Sequence, residues 1–231
     1  MKKYELTDET KLYNGRTLHR IVAIRDFGDV KKGDKGGWIE KEENLSQDGE
    51  CWVYGNAQVF DNAWVFNNAK VFDNAQVYGN AWAYDSAKVR DNAQIFNKAR
   101  VCDNAIVRDN AKVKDKAQIY GNAEVFDNAQ VYDNAQVFDN AKVKDKAQIY
   151  GNAEVGRDAE IYNNKDYIVF KNWWSSLRHF TWTRSNDKWT VGCFYGTGEE
   201  LIKKAYADSE DKGKHYEEIV EYVNKCVLGN E

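Results

Sequence analysis

Apolar and polar positions along this chain fall into three regimes, and the middle one is strictly periodic. Val53, Val59, Val65, Val71 and Val77 open a series that continues at every sixth residue to Val155 and Ile161, departing from Val or Ile only at Ala83. Two residues before each of these positions, from Ala57 to Ala159, stands an alanine. Within a phrase such as Ala57-Gln58-Val59-Phe60, small or aliphatic residues alternate with Gln and Phe, the alternation of a short strand with Ala and Val facing inward. The next pair, Asp61-Asn62 here and Asp-Asn or Gly-Asn elsewhere, turns the chain, because Asn and Gly tolerate the left-handed backbone conformation. The spacing therefore predicts one short strand and one corner per phrase.

The flanks follow other patterns. Residues 1–44 read as a β-rich cap: Lys11-Leu12-Tyr13 and Arg16-Thr17-Leu18 flank Asn14-Gly15, a dipeptide suited to a two-residue hairpin turn, and Leu18 to Ile24 supplies a strand. Gly28 to Gly37 is a glycine-rich turn and not a phosphate-binding loop, since Asp34 and Lys35 follow Gly33 where that motif requires Lys and then Ser or Thr. After the repeat region, 45–164, the residues from 165 to 231 predict a small α+β domain. Its strands are Tyr167 to Phe170, His179 to Thr183 and Trp189 to Phe194, the last two forming a hairpin. Thr197-Gly198-Glu199-Glu200 is a capping box opening a helix to about Asp208. Tyr216, Ile219, Val220, Val223 and Val227 carry the spacing of a second, amphipathic helix.

The phrase Val-x-Gly-Asn-Ala-x and its variants resemble the hexapeptide repeat of left-handed parallel β-helices. The resemblance implies an all-β solenoid, single-stranded and left-handed, with about six triangular turns of three phrases each. Such a solenoid is quasi-one-dimensional and needs capped ends. With the period of 18 that this implies, outward residues sort into three faces. One carries Tyr54, Phe72, Arg90, Arg108, Phe126 and Lys144; the second Phe60, Tyr78, Phe96, Lys114, Tyr132 and Tyr150, beside a ladder of Gln. The third carries Phe66, Tyr84, Cys102, Tyr120 and Phe138, with Trp64 and Trp82 one turn apart and Arg100 above them as a cation–π stack. These columns either stack only on each other or form a surface for a protein partner or a homo-oligomer. Candidate binding residues are Trp64, Trp82, Arg100, Trp173, Trp174, Trp182 and Trp189, because aromatic anchors dominate interface energies. The corner column Asp73, Asp91, Asp109, Asp127 and Asp145 is expected to be solvated.

Composition narrows the function classes. A net charge of −4, from 33 basic and 37 acidic residues, gives no global field for nucleic acid or an anionic membrane. No apolar run resembles a signal peptide or a spanning helix, so a cytoplasmic protein is expected. Cys51, Cys102, Cys193 and Cys226 form no C-x-x-C pair, so neither a zinc site nor a disulfide framework is indicated, and no cofactor is expected.

Many hexapeptide-repeat proteins are acyltransferases with a histidine base and a loop leaving the prism. Here His19, His179 and His215 all lie outside the repeats and no loop interrupts their phase. Zinc-dependent carbonic anhydrases of this architecture need repeat histidines that are absent, and threonine-rich ice-binding faces are missing too. A hairpin loop centred near Asn186 would set His179 opposite Cys193 as a candidate thiol–imidazole pair, and Gly196-Thr197-Gly198 could hold an anion at a helix start. The sequence DNAKVKDKAQIYGNAEV occurs at Asp109–Val125 and again at Asp139–Val155, an offset that places the copies on different faces and favours a scaffold reading. In style the phrase is also similar to uncharacterised hexapeptide-repeat proteins of bacteriophages and prophages, which implies an accessory protein in an infected bacterium. The expectation is thus a non-catalytic binding protein, an inhibitor of a bacterial defence system being one form of it. Two alternatives stay open: a divergent acyl- or nucleotidyl-transferase with a site in the C-terminal domain or between subunits, and a structural spacer or polymer subunit.

Overall fold

The computed structural model describes residues 2–172 and 177–225. Strands β1 (Tyr4–Tyr13) and β2 (Arg16–Ala23) form the expected hairpin, with Asn14 and Gly15 at φ 49° and 78°. Strand β3 (Lys35–Ile39) pairs antiparallel with β2 and, on its other edge, parallel with Gln58–Val59 of the repeats. The cap therefore continues one face of the solenoid. Gly36 and Gly37 permit this approach, since a Cβ on Gly36 would lie 2.6 Å from the Trp52 ring and one on Gly37 2.6 Å from the Ala57 carbonyl oxygen.

From β4 (Trp52–Val53) to β22 (Glu160–Ile161) the chain is a left-handed parallel β-helix of two-residue strands, each paired in parallel with the strand 18 residues away. The repeats contribute seven strands to one face and six to each of the other two, a little over six turns of three strands, in line with the expected number. The inward series is sealed: every Val, Ile and Ala from Val65 to Ile161 that the period marks as inward is at 0% exposure. Full burial of one valine contributes about 1.5–3 kcal/mol, and alanine at the alternate inward positions keeps the narrow triangular interior from being overfilled.

The corners differ from expectation in one respect. The residue in the left-handed region is the first of the pair, Asp61 at φ 60° and Asp91 at φ 60°, with Gly79, Gly121 and Gly151 in the same place, and not the following Asn. Aspartate is used because its carboxylate reaches the next turn. The Asp73 carboxylate accepts from the Asp91 N–H at 3.2 Å, Asp91 from Asp109 at 3.2 Å, and Asp109 from Asp127 at 3.3 Å. The acidic column is a hydrogen-bonded ladder. The outward rings stack in register as expected, at 4.5 Å for Tyr54–Phe72, 5.0 Å for Tyr78–Phe96 and 5.2 Å for Tyr120–Phe138. Phe60 stacks on Tyr78 at 5.0 Å in the same way but is only 3% exposed, because Tyr13, Leu18 and Trp38 of the N-terminal sheet cover it.

The C-terminal unit contains a four-stranded antiparallel sheet, β23 (Tyr167–Lys171), β24 (His179–Thr183), β25 (Lys188–Val191) and β26 (Phe194–Gly196), then α1 (Gly198–Asp208) and α2 (Glu210–Val223). The capping box is present: the Thr197 N–H donates to Glu200 Oε2 at 2.8 Å and the Glu200 N–H to Thr197 Oγ1 at 3.2 Å. The box engages the Thr197 and Glu200 N–H groups, which are then not available to an anion at this helix start. Trp182 and Trp189 are corrected as binding residues: they face each other across β24 and β25 at 0% and 1% exposure, packed with Phe180, Leu201, Val220 and Val223. Alternation along both strands points these rings into the domain's own core. Trp173 and Trp174 lie outside the described residues.

Both ends of the solenoid are open sheet edges whose backbone groups need partners. At the start, the buried Lys3 ammonium donates to the carbonyls of Asp48, Gly49 and Cys51 at 3.2, 3.2 and 2.9 Å, and burial lowers its pKa. Asn44 Nδ2 donates to the Ala63 carbonyl at 2.9 Å, and the N–H groups of Trp38 and Glu40 to Ala57 and Val59. At the far end each face presents an N–H that lacks a next turn. Gln148 donates to Asn164 Oδ1 at 2.8 Å, Glu154 to Thr181 Oγ1 at 2.9 Å, and Glu160 to Ser185 Oγ at 2.8 Å. Tyr167 Oη completes the set by donating to the Gln148 carbonyl at 2.9 Å.

The corner chemistry is testable in mid-prism. Asp91→Val, which forces a β-branched residue into the left-handed region, is expected to cost about 1–2 kcal/mol from backbone strain alone. Asp91→Gly is expected to cost less, since it loses only the ladder bond. Urea unfolding of both variants measures the difference.

Candidate functional site

Docking of β24 on the last turn creates a polar recess on the solenoid's flank. The rung column Gln118, Gln136, Glu154 and the corner column Lys116, Asn134, Asn152 form one wall of a cleft of about 440 Å³. Arg178, His179 and Gly192 of the C-terminal sheet form the other. The wall is ordered by the 18-residue register, which stacks like side chains one turn apart, and Tyr120 Oη fixes Gln136 by donating to its Oε1 at 3.1 Å.

His179, the first residue of β24, stands where this cleft meets a second of about 430 Å³, lined by Tyr150, Tyr167, Val169 and Lys171. Asn152 and His179 belong to both. His179 Nε2 lies 3.4 Å from Asn152 Nδ2, longer than the usual 2.7–3.2 Å of such a bond, so a substrate group can displace the amide at little cost. Glu154 is half-buried beside it. Burial raises its carboxyl pKa above the usual range, and the positive charge of Arg178 partly opposes that rise. The site thus offers an imidazole, a carboxyl biased toward its neutral form, an ammonium and several amides.

The candidate His179–Cys193 pair does not form. Strand register sets Thr181 against Thr190 and Trp182 against Trp189, so continuing it places position 192 opposite His179, while Cys193 falls in the exposed turn between β25 and β26. The other histidines sit elsewhere. His19 Nδ1 is 3.4 Å from the Thr7 carbonyl in the N-terminal sheet, and His215 lies within 4.0 Å of Asp211 and Glu218 on α2.

Trp64, Trp82 and Arg100 lie on the same face as the His179 cleft but at its opposite end. Trp64 stacks on Phe66 at 4.1 Å, and the Arg100 guanidinium lies 4.8 Å over Trp82, the expected cation–π contact. Together with Lys41, Glu43 and Asn62, the two indoles border a shallower recess. The ligand atoms of Asp85, Cys102 and Asp103 come within 4.8 Å of one another. Asp85 accepts from Asn67 at 2.8 Å and Asp103 from the Gly121 N–H at 2.8 Å, and burial raises the pKa of the Cys102 thiol. No described helix is long and apolar enough to cross a membrane.

The electrostatics of Glu154 carry a prediction. Its folded-state pKa is raised, so the proton it holds stabilises the fold fully below the unfolded value near 4.5, and that contribution is lost as pH rises through the folded pKa. Glu154→Gln cannot lose it. The stability of E154Q relative to the wild type is expected to improve between pH 4 and pH 7, as measured by the difference in urea midpoints at the two pH values.

Comparison with known proteins adds a chemical direction. The family described as YdcK Beta solenoid repeat matches residues 117–133, which include Gln118 and Gln130 of two adjoining faces, Gln118 lining the polar cleft. The chain is also similar to a protein of Escherichia coli (strain K12) named Uncharacterized acetyltransferase YdcK, with 40% identity over 62 residues, covering 23% of this chain and 19% of that protein. The chain thus spans about one fifth of the length of this relative. The expectation of a non-catalytic binding protein is corrected by this finding: the solenoid is related to one carried by a protein named as an enzyme, and of the readings weighed from sequence the acyltransferase stands closest to it.

Proposed function

We propose that this chain is an acyltransferase in which His179 acts as general base at the junction of the solenoid and the C-terminal sheet. The observation that carries the reading is the position of the imidazole, held weakly by Asn152 on the divide between two clefts. A transfer reaction needs such a divide, because donor and acceptor must meet at one proton-accepting group. The similarity to a protein named as an acetyltransferase supports acyl, and specifically acetyl, as the group transferred.

The polar cleft suits an acceptor bearing several hydroxyl or amine groups, which Gln118, Gln136, Asn134 and the Glu154 carboxyl would bind through hydrogen bonds. The acceptor's hydroxyl or amine replaces the Asn152 contact and gives its proton to His179 as it attacks the acyl carbonyl carbon. The new C–O or C–N bond forms, the bond to the leaving thiolate breaks, and the imidazolium returns its proton to that thiolate. Asn152 then re-engages the neutral ring. Asn152 is a positioning residue in this scheme, and Glu154, whose carboxyl pKa is raised by burial, lies on the acceptor's wall of the cleft.

The test is thiol release from acetyl-coenzyme A in the presence of a panel of amino sugars, polyols and polyamines. Removal of a general base typically costs 10²–10⁴-fold, so His179→Ala is expected to lower the rate by about that factor with an unchanged circular-dichroism spectrum, and Asn152→Ala by less. Equal rates for wild type and H179A would overturn the assignment.

A further inference from the structure

A third cleft, of about 300 Å³, lies between the helical hairpin and the four-stranded sheet, on the far side of the Gly192-Cys193 turn from His179. Val191, Phe194, Leu201 and Ala205 give it an apolar floor. Its rim carries Arg178, Lys204 and Lys212 against the single carboxylate of Asp208, which lies 3.3 Å from Lys212. An apolar slot with an excess of positive charge at its mouth is complementary to a molecule with an apolar arm and an anionic head. The volume admits an arm and not a whole carrier, which leaves the head outside among the lysines.

This cleft adjoins the polar one. Arg178 borders both, and Gly192 walls the His179 cleft while its neighbour Cys193 lines the apolar slot. The partition is thin because position 192 has no side chain: a Cβ there would lie 2.9 Å from Arg178 Nη1. We propose that the apolar slot receives the arm of the acyl donor, a thioester on a phosphate-bearing carrier, with Lys204 and Lys212 meeting the carrier's phosphates and the acyl end directed past Gly192 toward His179. The inference rests on the acyl-transfer reading above. It assigns the amide-lined cleft to the acceptor and the slot to the donor, so that the two substrates approach His179 from different units of the fold.

Cys193 provides a built-in reporter, being exposed and lining the slot, whereas Cys51 is buried. The experiment follows alkylation of Cys193 by iodoacetamide, read by peptide mass, in the full chain. Acetyl-coenzyme A, octanoate and inorganic phosphate are added separately, the last two presenting the apolar arm and the anionic head alone. With acetyl-coenzyme A at ten times its dissociation constant, alkylation is expected to slow by about tenfold by simple occupancy, and octanoate and phosphate at the same concentration are expected to leave it unchanged. The surface variant Lys204→Glu/Lys212→Glu is expected to lose the protection and His179→Ala to keep it. Protection by octanoate or phosphate equal to that by acetyl-coenzyme A, protection that survives K204E/K212E, or no protection at all would each overturn the donor assignment. If H179A abolishes thiol release while acetyl-coenzyme A leaves Cys193 unprotected, the catalytic reading stands and the donor slot alone fails.

Discussion

A parallel β-helix pairs every backbone group inside its stack and leaves its two ends bare, so the fold depends on what satisfies those ends. An unpaired buried N–H or C=O costs about 1–3 kcal/mol, and each end presents several. The N-terminal residues answer with donors, the Lys3 ammonium and the Asn44 amide among them, and with the strand β3 laid parallel to the first turn. The chain beyond the last solenoid strand answers with one side-chain oxygen for each face: Asn164 just after β22, Thr181 in β24 and Ser185 in the turn that follows β24. The same contacts bring His179 and Arg178 against the amide columns of the prism. The candidate site is therefore a by-product of end-capping, placed where a second structural unit must in any case be held against the last turn.

The duplicated sequence makes the point within one chain. Glu124 and Glu154 occupy the same place in identical 17-residue stretches. Glu124 lies in mid-prism, 3.5 Å from Arg108, a surface ion pair of the ordinary kind. Glu154 is the last rung of its face, covered by β24, and its carboxyl is biased toward the neutral form. Identical residues acquire different chemistry through what is docked on them. The repetition that favours a scaffold when read as sequence is thus compatible with a single reactive place.

What was legible in the sequence was whatever the period dictates. Inward Ala and Val, the outward stacks, the Asn14-Gly15 hairpin and the Thr197–Glu200 capping box all follow from local rules, and all are present. The left-handed corner residue was misassigned to Asn because propensity favours it, whereas the bond from each Asp carboxylate to the next turn decides the matter. Trp182 and Trp189 alternate with Thr along their strands, a pattern that signals burial once read as period two, but their size suggested interface anchors. His179 was singled out with the wrong partner because a hairpin slipped by one residue presents the opposite side chains. The cleft itself was illegible. It is assembled from repeat corners and a distant strand, and the Thr181 and Ser185 oxygens that fix their relation look like ordinary β-strand and turn residues.

Native-state hydrogen exchange at three amides tests the central claim most directly, namely that the C-terminal unit closes the last turn and thereby forms the site. The account predicts that the N–H groups of Gln148, Glu154 and Glu160 exchange as slowly as those of inner rungs such as Gln130 and Gln136, because Glu154 and Glu160 donate to side-chain oxygens across the junction and Gln148 to Asn164 in the segment that leads into it. Fast exchange at these three, with the inner rungs still protected, would mean that the last turn is open in solution and that no cleft at His179 persists to bind anything.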